Sequence, residues 1–254
     1  MKADIFEQCQ KLFPEWAGCS MADFAFDDPK GFSSFTMGIR SKKTVQPTAV
    51  LYRRLEGKEN AILDYATEKE VFLTLGAHNI AAHCYYYDEV YRIEAFYQGR
   101  TLQAAELFDP ENLRKMADEL YRFHQLKPAC LPQENFFELL HSKWGRMAKD
   151  VLKNKIDLFP PNEQRMCAEL REIYAPETIA KVKRCLPAGE LTFCHNDTYH
   201  GNIMKLENGA IKLLDFEFSC LNNKAYDFSN LFAETVMQHQ QRDYPYFRIA
   251  EPAY

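Results

Sequence analysis

LTFCHNDTYHGNIMKLENGAIKLLDFEFSCLNNKAYD, residues 191–227, carries a strand, a polar loop and a hairpin in one run. Leu191 to Cys194 is a short apolar stretch of the kind that forms a buried strand. The loop His195-Asn196-Asp197-Thr198-Tyr199-His200-Gly201-Asn202 follows. Residues 203–206 and 211–214 then form two apolar segments around Glu207-Asn208-Gly209. Asn-Gly supplies the positive-φ residues that a tight hairpin turn needs. A hairpin returns the chain to its starting point, so the second strand delivers Asp215 beside the loop that holds Asp197 and Asn202.

Those three side chains suit phosphoryl transfer. The reaction needs a carboxylate to take the proton of the attacking hydroxyl, and metal ions to neutralise the phosphates. Asp197 can accept that proton. Asn202 and Asp215 offer hard oxygen atoms, which suit Mg²⁺. The Asp-x-x-x-x-Asn spacing followed by a strand-borne Asp-Phe matches the protein-kinase layout, with Asp215-Phe216-Glu217 where Asp-Phe-Gly is usual. His195 is read as structural, holding the loop rather than moving protons.

Working outward, residues 1–20 have helical apolar spacing at Ile5, Phe6, Cys9, Leu12 and Phe13. Two strands are expected over 32–40 and 49–55, after a turn at Asp27-Asp28-Pro29-Lys30-Gly31. A helix over 64–76 and two strands over 82–87 and 90–97 complete a small sheet carrying one helix. From Gln98-Gly99-Arg100 to about residue 188 the pattern is helical, with helices over 109–126, 133–153 and 161–186. The expected fold is α+β and two-lobed, protein-kinase-like. Residues 1–97 form a mixed lobe and residues 98–254 a mainly helical lobe that carries the catalytic loop, with a cleft between them.

Composition narrows the classes. With 46% hydrophobic residues, 19 Phe and 14 Tyr in 254 residues, there is ample material for a core. The net charge of −5 gives no general attraction to nucleic acid or to an anionic membrane. No run approaches the roughly 18 apolar residues of a membrane span. The eight cysteines include no C-x-x-C pair, which argues against a structural zinc site. The opening MKADIFEQCQ has acids where a signal peptide needs apolar residues. A cytoplasmic protein with reduced thiols is expected.

HNDTYHGNI, LLDFEFS and AYDFSNLFAE together resemble the choline kinase/ethanolamine kinase family, and the resemblance runs from about residue 30 to the end of the chain. It implies ATP and Mg²⁺ as cofactors, with residues 1–97 as the ATP-binding lobe. It implies transfer of phosphate to the hydroxyl of choline or ethanolamine, the first step of phospholipid head-group synthesis. Gly31, Ser33 and Ser34 sit where the family has its phosphate-covering turn. Arg53 resembles the strand-borne basic residue that meets the phosphates, and Glu68 the helix acid that pairs with it. Arg54 points to the other face of the strand. Ala95 and Tyr97 fall on the segment between lobes, where backbone groups would hydrogen-bond adenine.

On the acceptor side, Glu234 falls at the position facing the substrate ammonium, with Phe218, Phe232, Tyr244 and Tyr246 as candidate aromatic walls. A carboxylate beside aromatic faces suits a cation. The abundance of aromatic residues there favours choline. Asp227 resembles a buried acid that braces the catalytic loop, and it is counted with the acceptor side. Relatives usually continue through further helices beyond the point matching Tyr254, and are often dimers through the first lobe. Two other readings stay open: a kinase of another small molecule such as an aminoglycoside, and a non-catalytic ATP-binding pseudokinase. The intact Asp197, Asn202 and Asp215 oppose the second.

Overall fold

In the computed structural model, residues 1–28, 35–55, 63–186, 188–238 and 248–249 are described. Phe24–Phe26 (β1), Thr36–Ser41 (β2), Ala49–Arg54 (β3), Cys84–Tyr87 (β4) and Tyr91–Ala95 (β5) make an antiparallel sheet in the order β1-β2-β3-β5-β4. Successive side chains on a strand point to opposite faces. Val50 and Tyr52 therefore enter a core built with Ile5, Phe6 and Cys9 of Lys2–Leu12 (α1), while Leu51 and Arg53 face the other way, into a cleft. The first helix is shorter than its apolar spacing suggested. Pro14 has no N–H to continue it, and a single 3₁₀ turn follows.

Tyr65–Ala77 (α2) starts at Asp64, whose side chain caps the N–H of Thr67. Its Val71, Phe72 and Leu75 enter a second core, which runs on through Met116, Phe123, Phe193 and Phe216. Pro110–His124 (α3) has the same kind of start, with Asp109 accepting from Glu111 and Asn112. Its buried stripe of Met116, Leu120 and Phe123 follows the helical period.

Residues 98 onward are not helical from the outset. Gly99–Thr101 forms a strand (β6) against Ile203–Leu206 (β8), which pairs with Ile211–Leu213 (β9). A Cβ at position 99 would lie 2.4 Å from the carbonyl oxygen of Lys205, so glycine permits that approach. The hairpin turns as Asn-Gly requires: Gly209 has φ +80°, and Lys115 of α3 ties its carbonyl at 2.7 Å. Phe136–Asp150 (α4) follows α3. The expected helix over 161–186 is two, Pro161–Ile173 (α5) and Pro176–Cys185 (α6), because Pro176 can begin a helix but not continue one. Thr192–Cys194 (β7) pairs with Cys220–Asn222 (β10), and Ala225–Val236 (α7) follows. The fold is α+β, a small antiparallel sheet followed by a mainly helical half. All eight cysteines are free thiols, and among the described residues no helix is long and apolar enough to cross a membrane.

Candidate active site

The loop after β7 is held from several sides. Asn196 takes a left-handed backbone, φ 66°, which breaks the extended path of β7 just before Asp197. Its side chain donates to the carbonyl of Phe218 at 2.9 Å and accepts from Asn222 Nδ2 at 2.8 Å. His195 is fully buried. Its Nδ1 accepts from the backbone N–H of Asp197 at 3.3 Å, and its Nε2 donates to Leu214 O at 2.8 Å. Both ring nitrogens are thus used in fixing the loop to the residue before Asp215. The Leu214 N–H in turn donates to Asn202 O at 2.8 Å. Asp215 also has a left-handed backbone, φ 62°. Two non-glycine residues in that region within twenty positions mark a tightly constrained site.

Asn202 Nδ2 donates to Asp197 Oδ2 at 2.7 Å and to Asp197 O at 3.0 Å. Using the amide nitrogen there turns Asn202 Oδ1 toward other uses, and a hard cation is the natural one. Burial pushes the Asp197 carboxyl up from its ordinary range; Asp215 and Glu234 push it the same way, against His195 and Asn202. Glu234, on α7, is therefore within electrostatic reach of Asp197. Tyr199 and Tyr226 are raised chiefly by burial and also by Asp197 and Glu234, so two tyrosines share this acidic neighbourhood. Acids gathered this way call for a cation, and the donor set of Asn202 and Asp215 fits Mg²⁺.

Above the loop lies a cleft of about 400 Å³, lined among others by Gly38, Leu51, Arg53, Arg92, Tyr97 and Asp215. Arg53 and Asp215 thus face one space. Glu68 is buried, as a paired acid should be. Arg92 Nη1 lies 3.9 Å from it and Tyr87 OH donates to it at 3.4 Å. Arg92 also donates to Glu94 at 2.5 Å and lies 3.8 Å from the Phe72 ring centroid. Arg92 is the register partner of Arg53 across β3 and β5. In the sequence, Arg92 and Glu94 stand only as part of the strand between lobes, with no role of their own. Their signal was present: charged residues two apart on a central strand share one face, with Ile93 on the opposite one. Arg54 projects to the other face, 5.2 Å from the Phe35 ring centroid.

Ala95 lines the cleft, but its N–H already donates to His83 O at 2.8 Å and is not free for a base. Tyr97 follows the end of β5. Its hydroxyl is buried with no hydrogen-bond partner among the described residues, and burial with Glu94 and Glu119 pushes it up to about 12.

Asp227 is enclosed beneath the loop and does not line the cleft. It is fully buried and accepts from His195 N at 3.0 Å, Asn196 N at 2.7 Å and His124 Nε2 at 2.8 Å. It acts as a brace and leaves the acceptor-side set. Phe218 packs on Trp144 of α4, ring centroids 5.9 Å apart, and Phe232 is 61% exposed. Gly31, Ser33, Ser34, Tyr244 and Tyr246 lie outside the described residues. Tyr199, Tyr226 and His124 were missed, since nothing local in the chain distinguishes them.

A family model described as choline/ethanolamine kinase matches residues 30–254. A human protein named choline/ethanolamine kinase is 27% identical over 220 residues, covering 82% of this chain and 52% of its own. Probable choline kinase 2 of Arabidopsis thaliana is 33% identical over 151 residues, covering 58% of this chain and 40% of its own. The chain thus spans about half the length, or less, of these relatives. The crystal structure of choline kinase from Cryptosporidium parvum superposes with a TM-score of 0.74 at 21% identity, over 98% of this chain and 73% of that one.

Proposed function

The chain belongs to the choline/ethanolamine kinase family, and from that premise we propose that it transfers the terminal phosphoryl group of ATP to the hydroxyl of choline or ethanolamine. The observation that carries this reading is the meeting of Asp197, Asp215 and Glu234 in one acidic neighbourhood, beneath a cleft lined by Arg53.

Each residue has a part in that reading. Residues 1–97 form the ATP-binding lobe and residues 98–254 the catalytic lobe. Arg53 contacts phosphate oxygens as a planar, permanently charged donor. Asp197 accepts the proton of the attacking hydroxyl. Asn202 orients that carboxylate through its 2.7 Å hydrogen bond. Asn202 Oδ1 and Asp215 would hold Mg²⁺, which when bound neutralises phosphate charge. The acceptor oxygen bonds to phosphorus as the bond to the ADP oxygen breaks. Glu234 stabilises the ammonium end, and Tyr199 and Tyr226 offer ring faces to it.

Incubation with γ-labelled ATP and Mg²⁺ should put label into choline or ethanolamine, with one ADP per phosphomonoester formed. Label in an aminoglycoside alone would overturn the reading. So would ATP binding with no label in any acceptor.

A further inference from the structure

We infer that a cavity between the α3–α4 connection and the start of β7 is a second ligand site, and that it takes a small phosphate monoester with an apolar substituent. The inference is independent of the proposed phosphoryl transfer, and its test needs no turnover.

The cavity measures about 510 Å³ and shares no lining residue with the cleft that borders Arg53 and Asp215. One side is the segment from His124 to Gln133, which leaves the end of α3. The other side is residues 190–193, where the chain enters β7. Leu221 of β10 and Lys224, just before α7, complete the lining. Pockets that hold small molecules run from about 300 to 1,000 Å³, so the space is large enough for one.

The walls divide by chemistry. Leu126, Leu131, Phe193 and Leu221 offer an apolar surface. Lys127 and Lys224 are exposed at its border, and Glu190 is the one carboxylate among the lining residues. No ion pair engages either lysine among the described residues. Two lysines against one glutamate leave the cavity positive, in a chain whose net charge is −5. A local excess of that sign attracts an anion.

His124 selects which anion. Its side chain is 6% exposed, and its Nε2 donates to Asp227 Oδ2 at 2.8 Å. Its Nδ1 makes no hydrogen bond among the described residues and is not sealed from solvent, and this cavity is the space that the ring borders. A ring nitrogen this enclosed ordinarily has a partner. With Nε2 as the donor, a neutral ring presents Nδ1 as an acceptor, so the matching ligand brings a proton. A carboxylate at neutral pH has none to give. A phosphate monoester, with its second pKa at about 6, can donate a P–OH to Nδ1 while its charged oxygens take the lysines. Its carbon chain then lies on the leucines and Phe193, where burial of each methylene is favourable.

The test is calorimetric titration of the full chain with hexyl phosphate, hexanoate and inorganic phosphate. Each is repeated with the cleft saturated by Mg²⁺ and a non-hydrolysable ATP analogue. Hexyl phosphate should bind one-to-one and at least about tenfold more tightly than either of the others, since each of them lacks one half of the match. Its Kd should move by less than about twofold with the nucleotide present, because the two spaces share no residue. Lys127→Gln combined with Lys224→Gln should weaken it by about 3- to 30-fold, the scale of two exposed charge contacts. Ala129→Trp places a large ring at an exposed lining position and should abolish binding.

Absence of saturable hexyl phosphate binding overturns the inference. So does equal affinity for hexanoate, which would remove the role of Nδ1. Displacement by the nucleotide analogue would place the probe in the cleft instead, and parental affinity in both the lysine and Ala129→Trp variants would place it elsewhere on the surface; either result overturns it as well.

Discussion

The two walls of the cleft are built on different principles. On the sheet wall, opposite charges satisfy one another. Arg92 is buried between Glu94 and Glu68, with Phe72 against its guanidinium. On the loop wall, like charges are brought together: Asp197 is pushed up by Asp215 and Glu234 as well as by burial. That wall is held by backbone N–H groups donated to Asp227 instead of by ion pairs across the site. Mutually satisfied charges contribute to the fold but leave little for a ligand. Gathered acids cost stability and are disposed to take a cation. One wall is a support and the other, in the proposed function, is a reagent.

Three substitutions can break or sharpen this contrast. The largest effect belongs to the reagent wall. Asp197→Ala should lower turnover by about 10²–10⁴-fold, the range for a positioned general base, with ATP affinity and unfolding midpoint nearly unchanged. Rapid-quench turnover and nucleotide titration check it, and a small rate loss would break the contrast at its centre. The support wall should respond in the other currency. Arg92→Met removes the guanidinium that the buried Glu94 pairs with at 2.5 Å, and should cost about 3–5 kcal/mol of folding stability in urea unfolding. A loss under about 1 kcal/mol would mean that acid finds another partner or water. The smallest effect is expected from Glu234→Gln. It should raise the acceptor KM by about 3- to 30-fold and leave ATP affinity alone, the pattern of an interaction present in ground and transition states alike. The difference should narrow as salt rises if the site is open to water. An unchanged KM for choline and ethanolamine would detach Glu234 from the acceptor.

Legibility in the sequence followed chain distance. β7, the polar loop, the β8–β9 hairpin and Asp215 lie within about twenty-five residues, and their order alone brings them together. The sheet and its helix were also readable, because alternation and helical spacing are local patterns. Strand β6 was not, since three exposed residues beginning with glycine have no pattern until β8 lies beside them. The break between α5 and α6 had a local sign in Pro176, outweighed by the helical composition on both sides.

The sequence by itself determined which side chains are available to the proposed chemistry: a carboxylate at 197, hard oxygens at 202 and 215, an arginine at 53 and an acid at 234. It did so because side-chain chemistry is a property of the residue, and their spacing is a property of the chain. Only the tertiary structure decided which groups are left free to act. It consumed the Ala95 N–H on His83, enclosed Asp227 beneath the loop and set Arg92 against Glu68. It also brought His124 across 103 residues to the brace. Hydrogen-bond partners are exclusive, and the partner a buried group takes depends on what the rest of the fold packs beside it.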